Sequence, residues 1–330
     1  MESTGVQQAF FKHIKGLLPL HFSLVDAIAD LLEISNDSAY RRIRGEKPIS
    51  FEEMQKLATH FKISLDQFLH LKTDSFLFNG NLIDDTGHVF DRWRENVLQQ
   101  LQFVASFKKP NIIYLAKDIP LMQQFIVPEL AAFKAFFWRK SIFHYDEMKG
   151  KKFTVRDWNE TDLAISKEIV KVYNRIGSTD IWNIESINST IRQIEFYREA
   201  GIFESDEDAK TLYQAVFNLI DHLEKQAELG VKFDIDEEPL SNAAPYLLYN
   251  NELILGDNTI FFELEQQQVT ILNHSIINFI ATRDEAFNAY MYDVLQNLIK
   301  KSTPLSISGE KERTRFFNKI RDKMKLASRL

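Results

Sequence analysis

From Asn111 to the end of the chain, short β-rich runs alternate with helical ones, and nothing before Asn111 has that character. The runs NIIYLA, SIFHY and DIWNI read as strands. IPLMQQFIVPELAAFKAFF, NETDLAISKEIVKVYNRI, INSTIRQIEFYREAGIF and SDEDAKTLYQAVFNLIDHLEKQAELG read as helices. Five closely spaced strand candidates follow: PYLLYN, ELILG, TIFFELE, VTILN and IINFIA. A helix from Glu285 to Lys300 and a basic tail helix from Gly309 complete the chain. Strands separated by helices imply an α/β layer, and the late cluster implies hairpins within it.

The first seventy residues follow a helical period instead. One helix runs from about Val6 to Leu18 and stops before Pro19. A second is capped by Ser23 and carries Leu24, Ala27, Ile28 and Leu31 at helical spacing. A third is capped by Ser35 or Asn36 and ends near Gly45. Ser50 with Glu53 forms a capping-box pattern that starts a fourth, and SLDQFL makes a fifth. The stretch 72–87, KTDSFLFNGNLIDDTG, is rich in turn signals and is placed as the domain boundary. A helix over about His88 to Phe107 follows, with Phe90, Trp93, Val97, Leu101 and Val104 on one stripe. The expected fold is thus mixed: an all-α, five-helix domain over 1–72, a linker and connecting or dimerisation helix over 73–110, and a larger α/β (α+β) domain over 111–330.

Composition limits the chemistry. With 330 residues, 45% hydrophobic and 27 phenylalanines, the chain has enough apolar surface to build large cores. It has no cysteine, which removes disulfides and thiolate metal sites. The first twenty residues lack the pattern of a signal peptide. The most apolar window, FIVPELAAFKAFFW, is too short and too polar to span a bilayer, so a cytoplasmic protein without a membrane partner is expected. The formal net charge is -7, so any contact with nucleic acid has to come from a local patch.

One such patch exists. ISNDSAYRRIRGEKPISFEEM, residues 34–54, places Arg41, Arg42, Arg44 and Lys47 within seven positions. The acidic residues nearby, Asp26, Asp30, Glu52 and Glu53, fall on other helices, which makes the field one-sided. The plain alternative is a solvated face on a helical interaction domain.

The order of features over 23–70 resembles the helix-turn-helix domain of the Cro/CI, or XRE, repressors. The features are Ile28-Ala29 on the first motif helix, Leu32, the turn EIS, ten residues to Gly45, then SFEEMQKLATHF and ISLDQFL. The wording YRRIRGE is similar to a BetR-type variant. The resemblance implies a second motif helix that projects into the major groove of double-stranded DNA. It implies Ile28, Leu32, Ile34, Ala39 and Ile43 as the shared core. Ser35, Asn36, Asp37 and Ser38 would then face base edges, with Arg41 one turn on as a guanine reader. Arg42, Arg44 and Lys47 are suited by type to phosphates, and Tyr40 to either contact or to packing. Two positions depart from the pattern. The family has glycine where Glu33 stands, because that turn residue takes positive φ, so a different turn is expected here. It has an apolar residue where Arg42 stands, so Ile43 is expected to take the core role and rotate the helix. Asp37 has to accept from a cytosine amine or cap the helix to sit near DNA.

The remainder offers little chemistry. It has no phosphate-cradling glycine loop, no HExxH and no nucleophile elbow. The histidines (His13, His21, His60, His70, His88, His144, His222 and His274) show no metal-ligand spacing. No catalytic residue, metal or cofactor is assigned. ESDEDAK reads as carboxylates at a helix start, and DIDEEPL as a solvated loop. The aromatics Phe136, Phe137, Trp138, Trp158, Trp182 and Phe196 read as core, or as the lining of an effector pocket. Residues 252–302 resemble the end of phospholipase-D-like effector domains. The catalytic members need HxKxxxxD. The HxK strings, at His13, His60 and His70, all lack the aspartate, which implies a non-catalytic relative.

The favoured reading is a sequence-specific transcription regulator that pairs as a homodimer to span two half-sites, with a C-terminal domain that senses a small-molecule effector or assembles the dimer. A phosphoesterase with an N-terminal targeting domain and an antitoxin-like interaction scaffold are the alternatives. The stripe on the 88–107 helix is either the pairing surface or a packing face. The tail, with Phe316, Phe317, Ile320 and Met324 on one side, is expected to dock onto the body.

Overall fold

The computed structural model describes residues 3–18, 22–61, 63–69, 76–80, 89–157, 159–253, 256–265, 267–273 and 278–328. The chain divides into two compact units, Met1–Leu77 and Phe78–Leu330. The architecture is mixed: a helical first unit and a second unit built on a mixed sheet.

The first unit contains α1 (Ser3–Leu17), α2 (Leu24–Leu32), α3 (Asn36–Ile43), α4 (Phe51–His60) and the single turn α5 (Leu65–Phe68). Its core is small. Phe10, Phe11 and Ile14 of α1 pack with Ile28, Ala29 and Leu32 of α2, Ala39 of α3 and Leu57 of α4. Ile34 and Ile43 are half-buried against them. Three of the helix starts are satisfied locally: Ser23, Ser35 and Ser50 side chains accept from the backbone three residues on. Ser50 and Glu53 complete a reciprocal capping box.

The second unit contains β1 (Asn79–Gly80), α6 (Val89–Ala105), β2 (Asn111–Leu115), α7 (Pro128–Phe137), α8 (Glu160–Tyr173), β3 (Gly177–Trp182), α9 (Asn188–Glu199) and α10 (Asp206–Leu229). It continues with β4 (Tyr246–Asn250), β5 (Thr259–Leu264), β6 (Gln267–Asn273), β7 (Phe279–Thr282), α11 (Glu285–Lys300), β8 (Thr303–Pro304) and α12 (Glu310–Ser328). One eight-stranded sheet runs in the order β1-β7-β6-β5-β2-β3-β4-β8. β2, β3 and β4 are parallel and joined by helical crossovers; β5, β6 and β7 follow β2 as antiparallel neighbours. Both faces are covered. Ile112, Tyr114 and Trp182 face the large core with α6 to α10 and α12, while Ile113, Leu115 and Ile181 face Leu295 and Leu298 of α11. That explains why NIIYLA is apolar without alternation.

Several expected elements differ. SIFHY is not a strand. α7 runs on into a π-helical turn, Trp138–Ile142, closed by the Phe143 N–H donating to the Trp138 carbonyl at 2.9 Å. Trp138 is held in the core, and Arg139 is held by Asp91 and Asp162, so the chain stays coiled there. The helix expected from Ile119 begins only at Pro128. Val127 is extended (φ −97, ψ 119), as the residue before a proline prefers. The strand expected at DIWNI lies three residues earlier, because Ser178, Thr179 and Asp180 pair along β4 and hide their strand character behind polar side chains. ELILG contributes no described strand; residues 254–255 lie outside the described set.

The stripe on α6 packs inward. Phe90, Leu101 and Val104 are buried in the second unit's own core, with Trp93 and Val97 against it, so the stripe is unavailable as a pairing surface. The tail helix α12 docks by Phe316, Phe317, Ile320 and Met324, all buried, and Arg321 pairs with Asp221 and Glu224 of α10. ESDEDAK caps α10: Ser205 and Asp208 form a capping box, and Asp208 also accepts from Thr154 Oγ1 and the Val155 N–H, each at 2.9 Å. Among the described residues no helix is long and apolar enough to cross a membrane, and no group of histidine and carboxylate side chains is arranged to hold a metal. Of the singled-out residues, His21, His70, His88, Trp158 and His274 lie outside the described set. His222 is buried, its Nε2 3.0 Å from the Phe233 carbonyl, and burial lowers its pKa.

Candidate nucleic-acid interface

The turn between α2 and α3 places everything that follows. Glu33 takes the left-handed conformation (φ 56, ψ 45), and the Ile34 N–H donates to the Ala29 carbonyl at 3.0 Å. The expected departure from the left-handed turn does not occur; glutamate bears the strain that glycine would avoid. Ser35 then caps α3, its Oγ accepting from the Ser38 N–H. Asn36 donates from Nδ2 to Asp26 Oδ1 at 3.1 Å, which ties the start of α3 to α2. Ser35 and Asn36 therefore have internal partners at the very positions expected to meet base edges.

Arg42 is inside the unit. It is 6% exposed, and its guanidinium grips Glu53 with two bonds, Nε to Oε2 at 3.0 Å and Nη2 to Oε1 at 2.6 Å. Its Nη1 also donates to the Ser38 carbonyl at 3.2 Å. The phosphate role expected for Arg42 is corrected: it fills the position where the family has an apolar residue, and it brings its own counter-ion. Glu53 serves twice, since Oε2 also accepts from the Ser50 N–H at 3.1 Å. Hydrogen bonding to Arg42 holds its carboxyl below the usual glutamate range, against a smaller opposing effect of burial. α3 and α4 are thereby locked together by a bidentate pair.

With Ala39, Arg42 and Ile43 turned inward, the opposite face of α3 carries Asp37, Tyr40 and Arg41 at three- and four-residue spacing. All three are exposed. The Arg41 side chain has no hydrogen bond or ion pair among the described residues. Arg44, at the C-cap, lies over the Tyr40 ring at 4.4 Å and donates from Nη2 to the Tyr40 hydroxyl at 2.9 Å. Its other contact is a loose, exposed pair with Glu46 at 3.6 Å. Gly45 (φ 76) then reverses the chain and leaves Lys47 exposed. The result is a cationic, ring-bearing surface of about two helical turns. Ser38 is half-buried behind it.

α1 supplies a support that the sequence reading missed. Gln7 Nε2 donates to the Arg42 carbonyl at 2.7 Å and the Lys47 carbonyl at 2.8 Å, while its Oε1 accepts from the Ile49 N–H at 3.1 Å. Gln8 Nε2 donates to the Arg44 carbonyl at 2.6 Å. Two adjacent glutamines on a polar helix face carry no recognisable signal; only their placement against the end of α3 reveals them. Gln7→Ala is expected to cost the first unit about 1–2 kcal/mol, because it frees one half-buried amide group and two carbonyls. Loss of hydrogen-exchange protection over residues 42–49, with α2 unaffected, would register it.

Residues 23–89 match the BetR domain, a helix-turn-helix-type DNA-binding domain. The match takes in α2 to α5 and covers about a fifth of the chain. The match names neither the wider Cro/CI type nor the phospholipase-D-like likeness of residues 252–302. No curated protein and no solved structure matches the chain.

Proposed function

We propose that the chain is a sequence-specific DNA-binding regulator that reads the major groove with α3. The observation that carries this is the division of labour around that helix. Ser35 and Asn36 fix its start, Arg42 holds it from inside, Gln7 and Gln8 hold its end, and Arg41, Tyr40, Arg44 and Lys47 are left at the surface. An exposed α-helix with a free arginine in its second turn fits a groove about 12 Å wide. In this reading Arg41 reads a base, Asp37 sits beside it at i−4 to orient it or accept from a cytosine amine, and Ser38 is a minor contact. Arg44 and Lys47 meet phosphates, with Tyr40 bracing Arg44.

The reading needs a pair of chains, since one motif covers one half-site. With the α6 stripe buried, the pairing surface is sought on the first unit. A shallow groove of 550 Å³ between α4 and α5 is lined by Met54, Ala58, Ile63 and Leu65, and Phe51 beside it is 89% exposed. The second unit acts as the sensor or assembly part of the regulator.

Two substitutions separate the roles. Arg41→Ala is expected to lose about 1–3 kcal/mol on the preferred duplex and to relax the preference at one position. Lys47→Ala is expected to weaken all duplexes evenly and to reduce the slope of log K against log salt by about one. Salt titrations by fluorescence anisotropy would show both. If the double variant Arg41→Ala, Arg44→Ala binds every duplex as the parent does, α3 is not the reading helix.

A further inference from the structure

A cavity of 190 Å³ opens at the carboxyl end of β2. β2 is the strand at which chain order along the sheet reverses, with β3 and β4 on one side and β5 and β6 on the other. Open α/β sheets take ligands at such reversals. The volume lies below the roughly 300–1,000 Å³ of drug-sized sites and suits a small molecule.

Three polar side chains that line the cavity have hydrogen-bonding capacity left unused. Lys134 of α7 is 1% exposed, and its Nζ donates to two neutral atoms, Thr190 Oγ1 at 2.9 Å and Gln193 Oε1 at 2.7 Å. A third N–H remains, and no carboxylate among the described residues forms an ion pair with it. Burial lowers its pKa to about 8, with the nearby Asp118 charge working the other way. Gln124 is 4% exposed; its Nε2 donates to the Ile119 carbonyl at 2.5 Å, but its buried Oε1 accepts nothing. Asn273, at the end of β6, has a buried Oδ1 that likewise accepts nothing. Trp93 and Trp138 supply flat apolar wall. A buried ammonium with one N–H to spare, and with the Asp118 carboxylate on the same cavity wall, therefore shares one small space with two carbonyl oxygens short of donors. Each unmade bond costs about 1–3 kcal/mol that a ligand would recover.

We propose that this cavity binds a free amino acid. Its carboxylate completes Lys134, its ammonium donates to the oxygens of Gln124 and Asn273, and its side chain lies against the tryptophans. A plain carboxylate would leave both carbonyls unpaired. A plain amine would leave the third Lys134 N–H without an acceptor. Binding stands independently of the DNA-binding reading; only its use as a regulatory signal rests on that reading.

The test is calorimetric titration and thermal melting of the full chain with the twenty L-amino acids singly. The matching des-amino acids and decarboxylated amines serve as controls. At least one amino acid is expected to bind one per chain and raise the melting temperature, with its two truncated counterparts at least tenfold weaker. Lys134→Met and Asn273→Leu should each weaken that binding about tenfold or more. Should Lys134→Met fail to fold, Asn273→Leu, at a strand end, still decides. The proposal is overturned if no amino acid binds, if a truncated counterpart binds equally well, or if Asn273→Leu binds as the parent does. Amino-acid binding intact in a protein that retains no DNA would sink the regulatory reading alone.

Discussion

Glu53→Ala is expected to lower the stability of the first unit by about 3 kcal/mol, three times what a lost helix cap alone would cost. The substitution strands Arg42, which is 6% exposed and has no second carboxylate partner among the described residues. Removing one member of a buried pair costs more than the pair contributes, because the remaining charge keeps its desolvation penalty. It follows that the double variant Arg42→Met, Glu53→Gln should recover to within about 1 kcal/mol of the parent, since glutamine preserves the capping box and methionine needs no partner. Hydrogen exchange over α2 to α4 in the full chain measures both. A Glu53→Ala loss no larger than about 1 kcal/mol would mean the pair does not hold α3. The same pair has an acid signature. Glu53 titrates below the usual range in the folded state, so its contribution is complete above the unfolded pKa of about 4.3 and is lost as pH falls through the lower folded value.

Phe317→Ala is expected to destabilise the second unit by about 3–5 kcal/mol, the usual cost of emptying a fully buried phenylalanine site. Phe317 has no exposed surface and packs edge-on with Phe316, with centroids 5.4 Å apart. In a unit of this size the melting temperature should fall by roughly 6–20 °C. Lys319→Ala, two residues along α12 on the exposed face, should change stability by less than about 0.5 kcal/mol. Equal effects from the two would mean α12 is not docked by its apolar stripe.

These two cases also show what could be read from the sequence and what could not. The α12 stripe was legible because four apolar side chains recur at helical spacing in an otherwise charged segment. The three serine caps of the first unit were legible because capping chemistry is local. Arg42 was not legible. Its burial depends on a carboxylate eleven residues away that a local rule had already assigned to a capping box, and nothing in the sequence says that one glutamate does both. SIFHY failed for a related reason: its apolar residues suit a strand, but Asp91 and Asp162, far off in sequence, fix Arg139 and keep the chain helical. Buried cations were invisible throughout. Lys134 sits on a helix that reads as core apart from Glu129 and Lys134 itself, and Lys232 lies with its Nζ 3.2 Å from the centre of the Tyr173 ring in a region that reads as loop. Charged residues are assigned to the surface by default, and only tertiary partners reverse that assignment.

The central claim is that the outward face of α3 carries sequence information. Selection from a pool of random duplexes by the full protein, repeated with Arg41→Ala, tests it most directly. The account predicts an enriched site with two inverted halves about one helical turn apart, containing a guanine in each half whose enrichment disappears in the variant. Enrichment of the same site by both proteins, or of no site by the parent, would contradict it.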